Sequence, residues 1–237
     1  MSPFAEPLPH GGIDEIFPDV FLVRGTFRAG PGVTFGRNMV VLREGDALTI
    51  VNSVRLSPEG ERALDNLGTV RHLVRLGFFH TLDDPYYRAR YSPTSWASRP
   101  PDASTERLAN GGASPHGRAQ VFSFDHASGG EAALVLTQAA GNLLITCDSV
   151  QHWPDTSRCS LLGGLACRAM GFLRNRATLG PIWLKKMTGG QPLALRPDFE
   201  RLLSLDFAHL VSGHGDVLRD TARADLRRSC AIALGME

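Results

Sequence analysis

Lysine is nearly missing from this chain, standing only at positions 185 and 186. Arginine supplies the rest of 25 basic residues, against 24 acidic ones, for a formal net charge of +1. A balance this close to neutral, with no basic stripe interleaved with aromatics, removes the electrostatic case for nucleic acid. Cysteine is scarce too. Cys147, Cys159, Cys167 and Cys230 show neither C-x-x-C spacing nor the density of a disulfide framework, which points to reduced and largely buried thiols. No run is long and apolar enough for a membrane span: Leu161 to Leu173, the most apolar later stretch, is too short and is interrupted by Arg168. Met1 to Gly12 is rich in Pro and Gly and lacks the apolar core of a signal peptide, so a cytoplasmic location is expected. No internal repeat is visible at a solenoid period.

What is present suffices for one domain. A chain of 237 residues, 43% hydrophobic, buries a full core, and a single unit over 1–237 is the economical reading, with 1–15 as a loosely ordered lead-in. Val20 to Phe27 reads as a strand, and Asn38 to Leu42 with Ala47 to Val51 reads as a hairpin around Arg43-Glu44-Gly45-Asp46. Ser57 caps a helix that has Pro58 in its first turn and Gly68 as its stop. Val70 to Leu76 is the next strand. Residues 92–118, rich in Ser, Pro, Ala and Gly, are expected to be an excursion over the surface. Ala119 to Phe124, Ala132 to Thr137, Leu143 to Cys147 and Ala208 to Val211 read as further strands. Residues 157–187 read as mainly helical, and Thr221 to Leu234 as a closing helix. Two blocks result, each with strands before helices, which suits an α/β (α+β) chain of two face-to-face sheets with helices outside.

Four strand ends deliver polar side chains: His80 and Asp84 on one loop, then His126, Asp148 and His214. Imidazole and carboxylate are the ligands that hold zinc, iron or manganese in open sites, where a bound water ionises near neutral pH. A lone surface His or Asp is more often solvated than liganded, so the common placement at strand ends carries the reading. Tyr86, Tyr87 and Trp96 follow the His80 loop, and His152 and Trp153 follow Asp148. They are candidate walls of a small-molecule pocket, with core or helix-face packing as the ordinary alternative.

The order of these segments resembles the metallo-beta-lactamase superfamily from about Val20 to Asp216. Leu48-Thr49-Ile50-Val51-Asn52-Ser53 is similar to the family's early strand ending in Asp-Thr-Gly. His80 and Asp84 match the first His and the Asp of His-x-His-x-Asp-His. Asp125-His126-Ala127-Ser128-Gly129-Gly130 stands where the family has Gly-His-Thr-x-Gly. Leu143 to Ser149 is similar to the strand that ends in Gly-Asp, and Ser212-Gly213-His214-Gly215 to the closing Pro-Gly-His-Gly. The resemblance implies a four-layer αββα sandwich and one or two divalent transition-metal ions, zinc foremost with iron or manganese as alternatives. The implied ligands are His80, Asp84, His126, Asp148 and His214, with Asp84 and Asp148 as the catalytic carboxylates. It further implies hydrolysis of an ester, thioester, lactone, amide or phosphodiester.

Three departures accompany the match. Leu82 and Pro85 occupy two ligand positions and bind no metal, and Asn52 replaces the early Asp. Asp83 is a candidate substitute ligand, or else a solvated carboxylate or cap. The contrasting reading is a non-catalytic domain that keeps the fold and holds a small molecule or a partner in the same cleft. Region 157–187 then serves self-association or docks on a membrane surface, with an ordinary packing helix as the plain alternative. A non-haem iron redox protein is the third option.

Overall fold

Apolar residues alternate along strands that are buried on both faces, and this alternation builds the layers. The computed structural model describes residues 4–236. The first half holds β1 (Ile13–Phe17), β2 (Val20–Gly30), β3 (Val33–Glu44), β4 (Ala47–Val51), α1 (Pro58–Leu67), β5 (Thr69–Arg75), α2 (Asp84–Tyr91), β6 (Thr94–Ala97) and β7 (Thr105–Arg107). Its seven strands form one sheet in chain order. The second half holds β8 (Ala119–Phe124), β9 (Glu131–Leu136), β10 (Leu143–Ile145), β11 (Val150–Trp153), α3 (Leu161–Ala169), β12 (Arg174–Leu179), α4 (Pro181–Thr188), α5 (Arg196–Ser204), β13 (His209–Val211) and α6 (Ala222–Leu234). Four of its strands form a second sheet in the order β13-β10-β9-β8, and β11 pairs with β12 alone.

Period-two patterning assigns each side chain to a layer. Val40 and Leu42 of β3 meet Leu134 and Leu136 of β9 in the layer between the sheets. Met39 and Val41 turn the other way, onto Leu64 of α1 and Tyr87 of α2. Ala133 and Val135 of β9 face a third layer with Trp183 of α4, Phe199 of α5 and Leu226 of α6. Helix, sheet, sheet and helix are therefore stacked as an αββα sandwich, the class the sequence suggested. Ser57 caps α1 as expected, its Oγ accepting from the Gly60 N–H at 3.2 Å.

Three stretches differ from the sequence reading. The lead-in 1–15 is ordered at its end, where Ile13, Asp14 and Glu15 of β1 pair with β2. Residues 92–118 are not wholly a surface excursion. β6 and β7 extend the large sheet in parallel, and Trp96, Ala97 and Leu108 are buried. Ser- and Pro-rich composition hid two strands of only four and three residues. Residues 157–187 are largely helical as expected, but β12 separates α3 from α4. Along β12, Ala177 and Leu179 turn into the third layer while Arg174 and Asn175 face out.

Candidate metal centre

Strand ends from both sheets meet at one edge of the sandwich. β5 leads through Leu76 and Gly77 toward His80, and the Leu76 N–H is held by Asn52 Oδ1. Asn52 adopts φ 55°, a left-handed backbone that Asn tolerates, and its Nδ2 donates to Thr146 O at 3.1 Å. It therefore ties the ends of β4, β5 and β10 together, which explains a polar group at that position without any contact to metal. Gly77 is required by crowding: a Cβ there would stand 2.6 Å from Cys147 Sγ and 2.7 Å from Glu131 Oε2.

Among the described residues, one group of His, Cys, Asp or Glu donors is close enough to share an ion: His80, Asp148 and His214, with all three ligand atoms within 4.8 Å. His80 Nε2 lies 3.1 Å from His214 Nε2 and 3.5 Å from Asp148 Oδ2, and His214 Nε2 lies 3.2 Å from Asp148 Oδ1. Metal–ligand bonds of about 2.0–2.1 Å in a tetrahedral site place donor atoms roughly 3.3 Å apart, the spacing seen here. His214 Nδ1 donates to Gly36 O at 2.7 Å, which leaves Nε2 with the free lone pair. Trp153 stacks on the same ring at 5.8 Å and Phe27 flanks it at 5.9 Å, so its orientation is fixed from three sides.

Electrostatics suit a cation. Burial lowers the His80 pKa to about 4, with the His214 and Arg37 charges adding and Asp148 opposing, so the ring is neutral near pH 7. Burial would raise Asp148, but His80, His214 and the Cys147 thiol outweigh it and hold the carboxyl at about 2. The centre is thus two imidazoles and one carboxylate, a donor set that zinc, iron and manganese all accept.

Behind Asp148 stands a group the sequence reading missed. Glu131, at the start of β9, is fully buried, and its Oε1 accepts the N–H groups of Asp148 and Ser149 at 3.0 and 2.9 Å. Burial, and then the Asp148 charge, push its pKa well up. The same causes push the Cys147 thiol up. Burial of the Glu131 carboxyl has a testable sign. Folding favours the protonated form, so stability is fully present below the usual carboxylate pKa and is lost as pH rises above it, until the folded group titrates. In metal-free protein, Glu131→Gln keeps a neutral acceptor and removes that loss. Its Tm should match wild type at about pH 4 and exceed it at about pH 8, read from thermal melts across that range.

The remaining candidate residues are placed as follows. Asp84 lies outside the cluster: as the first residue of α2 it accepts from Ser53 Oγ at 2.7 Å and faces Arg75 at 3.7 Å, in a separate cavity shared with Trp96 and Arg88. His126 is outside as well. Its half-exposed ring sets Nδ1 3.2 Å from Asp198 Oδ1, and its N–H and that of Asp125 bond to the same buried carboxylate. Asp83 is held by the Arg37 guanidinium and the Arg55 N–H. Tyr86 bonds Glu61 and Tyr87 bonds Val54 O, both in the helix layer over the large sheet. Trp96 donates to His72 Nδ1, and His152 is taken up by Asp216 O and Asn175. None of these four, Tyr86, Tyr87, Trp96 and His152, lines the cavity beside the His80–Asp148–His214 cluster.

That cavity, of about 360 Å³, has Asp148, Gln151 and His214 at one end. Phe27, Phe35, Phe79, Trp153, Phe172 and Trp183 supply most of its wall. Phe27 and Phe35 are cross-strand partners on the β2–β3 hairpin, and Trp153 and Gln151 share one face of β11, joined by an indole N–H bond of 2.7 Å. The period-two spacing of Gln151 and Trp153 just past Asp148 was the readable signal for part of this wall.

No protein-family model matches the chain, and neither does any curated protein. Solved structures do. VMB-1 superposes with a TM-score of 0.65 at 16% identity, covering 94% of this chain and 96% of its own. The metallo-beta-lactamase DIM-1, in a structure exposed to ceftazidime, gives 0.64 at 14% identity, over 96% and 100%. The metallo-beta-lactamase FIM-1 from Pseudomonas aeruginosa, in its mono-zinc form, gives 0.64 at 10% identity, over 97% and 98%. Identity this low speaks for architecture rather than substrate. On that architecture the likeness is full-length, and this chain has the metallo-beta-lactamase fold.

Proposed function

We propose that this protein is a hydrolase dependent on a single divalent transition-metal ion, with zinc as the first choice. The convergence of His80, Asp148 and His214 carries this reading. An ion bound there would supply Lewis acidity and a water ionised near neutral pH. His80 offers a neutral nitrogen, His214 offers Nε2 because Gly36 O takes Nδ1, and Asp148 brings the one negative charge. Glu131 and Gln151 hold Asp148 in place: Glu131 through the Asp148 N–H, Gln151 by donating Nε2 to its Oδ1 at 3.2 Å. The aromatic wall excludes bulk water and so strengthens each polar contact inside. Three protein ligands and an open position are the count found in catalytic zinc sites. The reaction class favoured is hydrolysis of an ester, thioester, lactone, amide or phosphodiester.

Elemental analysis of protein purified without chelator should find about one equivalent of transition metal. Zinc-loaded protein should hydrolyse members of a panel of ester, lactone and phosphodiester substrates, with activity lost on chelation and restored by the ion. Protein that takes up no metal after incubation with zinc, iron or manganese would leave a binding domain in this fold.

A further inference from the structure

The cavity beside the metal centre is polar at one end only, and its polar groups are already engaged. Gln151 Nε2 donates to Asp148, its Oε1 accepts from Trp153, and His214 Nδ1 is on Gly36 O. No Lys or Arg lines it, so it holds no counter-charge for a carboxylate, sulfonate or phosphate. The one unpaired donor among its lining groups is Trp183 Nε1, buried without an acceptor among the described residues. The mouth is apolar too: Phe79, Met170 and Ile182 line the cavity and remain 41%, 36% and 41% exposed. A volume of about 360 Å³ lies in the range of small-molecule sites.

We propose that this cavity receives the uncharged, apolar acyl group of an ester or thioester, with the scissile carbonyl at the His80–Asp148–His214 end. The proposal rests on the hydrolase reading and narrows its substrate class. Water adds to the carbonyl carbon and the acyl–oxygen or acyl–sulfur bond breaks, giving a carboxylic acid and an alcohol or thiol. An anionic group carried away from the scissile bond finds no partner in this wall, whether a second phosphate or the free carboxylate of a ring.

Binding is tested apart from chemistry. Trp153 and Trp183 line the cavity while Trp96 lines the other, so tryptophan fluorescence of metal-free protein reports occupancy. In a series from n-butanol to n-decanol, affinity should rise about fourfold per added methylene until the cavity is full. Ile182→Asp, at the exposed mouth, should weaken n-decanol binding more than tenfold, and Phe172→Asp should do so from the wall. With metal present, kcat/KM for p-nitrophenyl esters should climb with acyl length over the same range. Binding independent of chain length, or unaffected by Ile182→Asp, overturns the proposal and leaves the metal centre standing. Length-dependent binding of n-alcohols by a protein that takes up no metal upholds the apolar cavity and removes the hydrolase reading instead.

Discussion

Asp148→Asn is expected to weaken metal binding by more than ~100-fold and to remove hydrolysis, with the fold intact. Loss of an outer partner of a ligand alone costs about 10–100-fold in affinity, and Asp148 is a ligand itself. Among the described residues it is also the one carboxylate in the cluster. Asparagine is nearly isosteric and keeps an oxygen for Gln151, so the fold is kept, with a lower Tm at neutral pH because the charge that its neighbours favour is gone. Asp84→Asn and His126→Ala supply the contrast. Both lie on other partners, Ser53 with Arg75 and Asp198 respectively, and both variants should retain about one equivalent of metal. Metal titration of the three variants side by side decides. Wild-type affinity in Asp148→Asn, or loss of metal in Asp84→Asn, would displace the centre from where it is drawn here.

Gly215→Ala should be the most damaging single methyl group in the chain. Gly215 holds φ 71°, a left-handed conformation, and an added Cβ would overlap the carbonyl oxygen of His152. That oxygen cannot withdraw, because it accepts the Asp216 N–H at 2.8 Å within the local bridge between the two strand ends. Backbone strain and overpacking together cost about 3–5 kcal/mol, which in a chain of this length lowers Tm by roughly 10 °C. The shift also carries His214, one residue away, so metal affinity should fall along with stability. Thermal unfolding and metal titration of the same preparation test both, and a Tm within a degree or two of wild type would refute the steric account.

Much of the architecture was legible because layers follow local rules. Alternation in β3 and β9, the Ser57-Pro58 cap and the hairpin at Gly45 are written within a few residues of where they act. His80, Asp148 and His214, which the structure brings together, were marked by the same kind of local rule, each following the end of a strand. Asp84 and His126 occupy equivalent positions in the chain, yet their partners come from elsewhere: Ser53 after β4 and Asp198 on α5. No local pattern states which distant group a side chain will meet. Tyr86 and Tyr87 were misplaced because the face of α2 is set by packing on Leu64 and Met39. The cavity wall was hidden more deeply, since Phe27 and Phe35 come from a hairpin far upstream and Phe172 and Trp183 from the long stretch between Asp148 and His214. Glu131 was readable only in part: an acid opening an apolar strand is unusual, but its role depends on where Asp148 arrives.

His80 is suspended from the large sheet, while Asp148 and His214 hang from the small one. The span across which those donors face one another is therefore set by the apolar slab between the sheets, where Val74 and Leu76 lie against Leu134, Ile145 and Val211. That slab acts as a gauge block. Close packing fixes its thickness, so residues that touch none of the three donors set the spacing that an ion would meet.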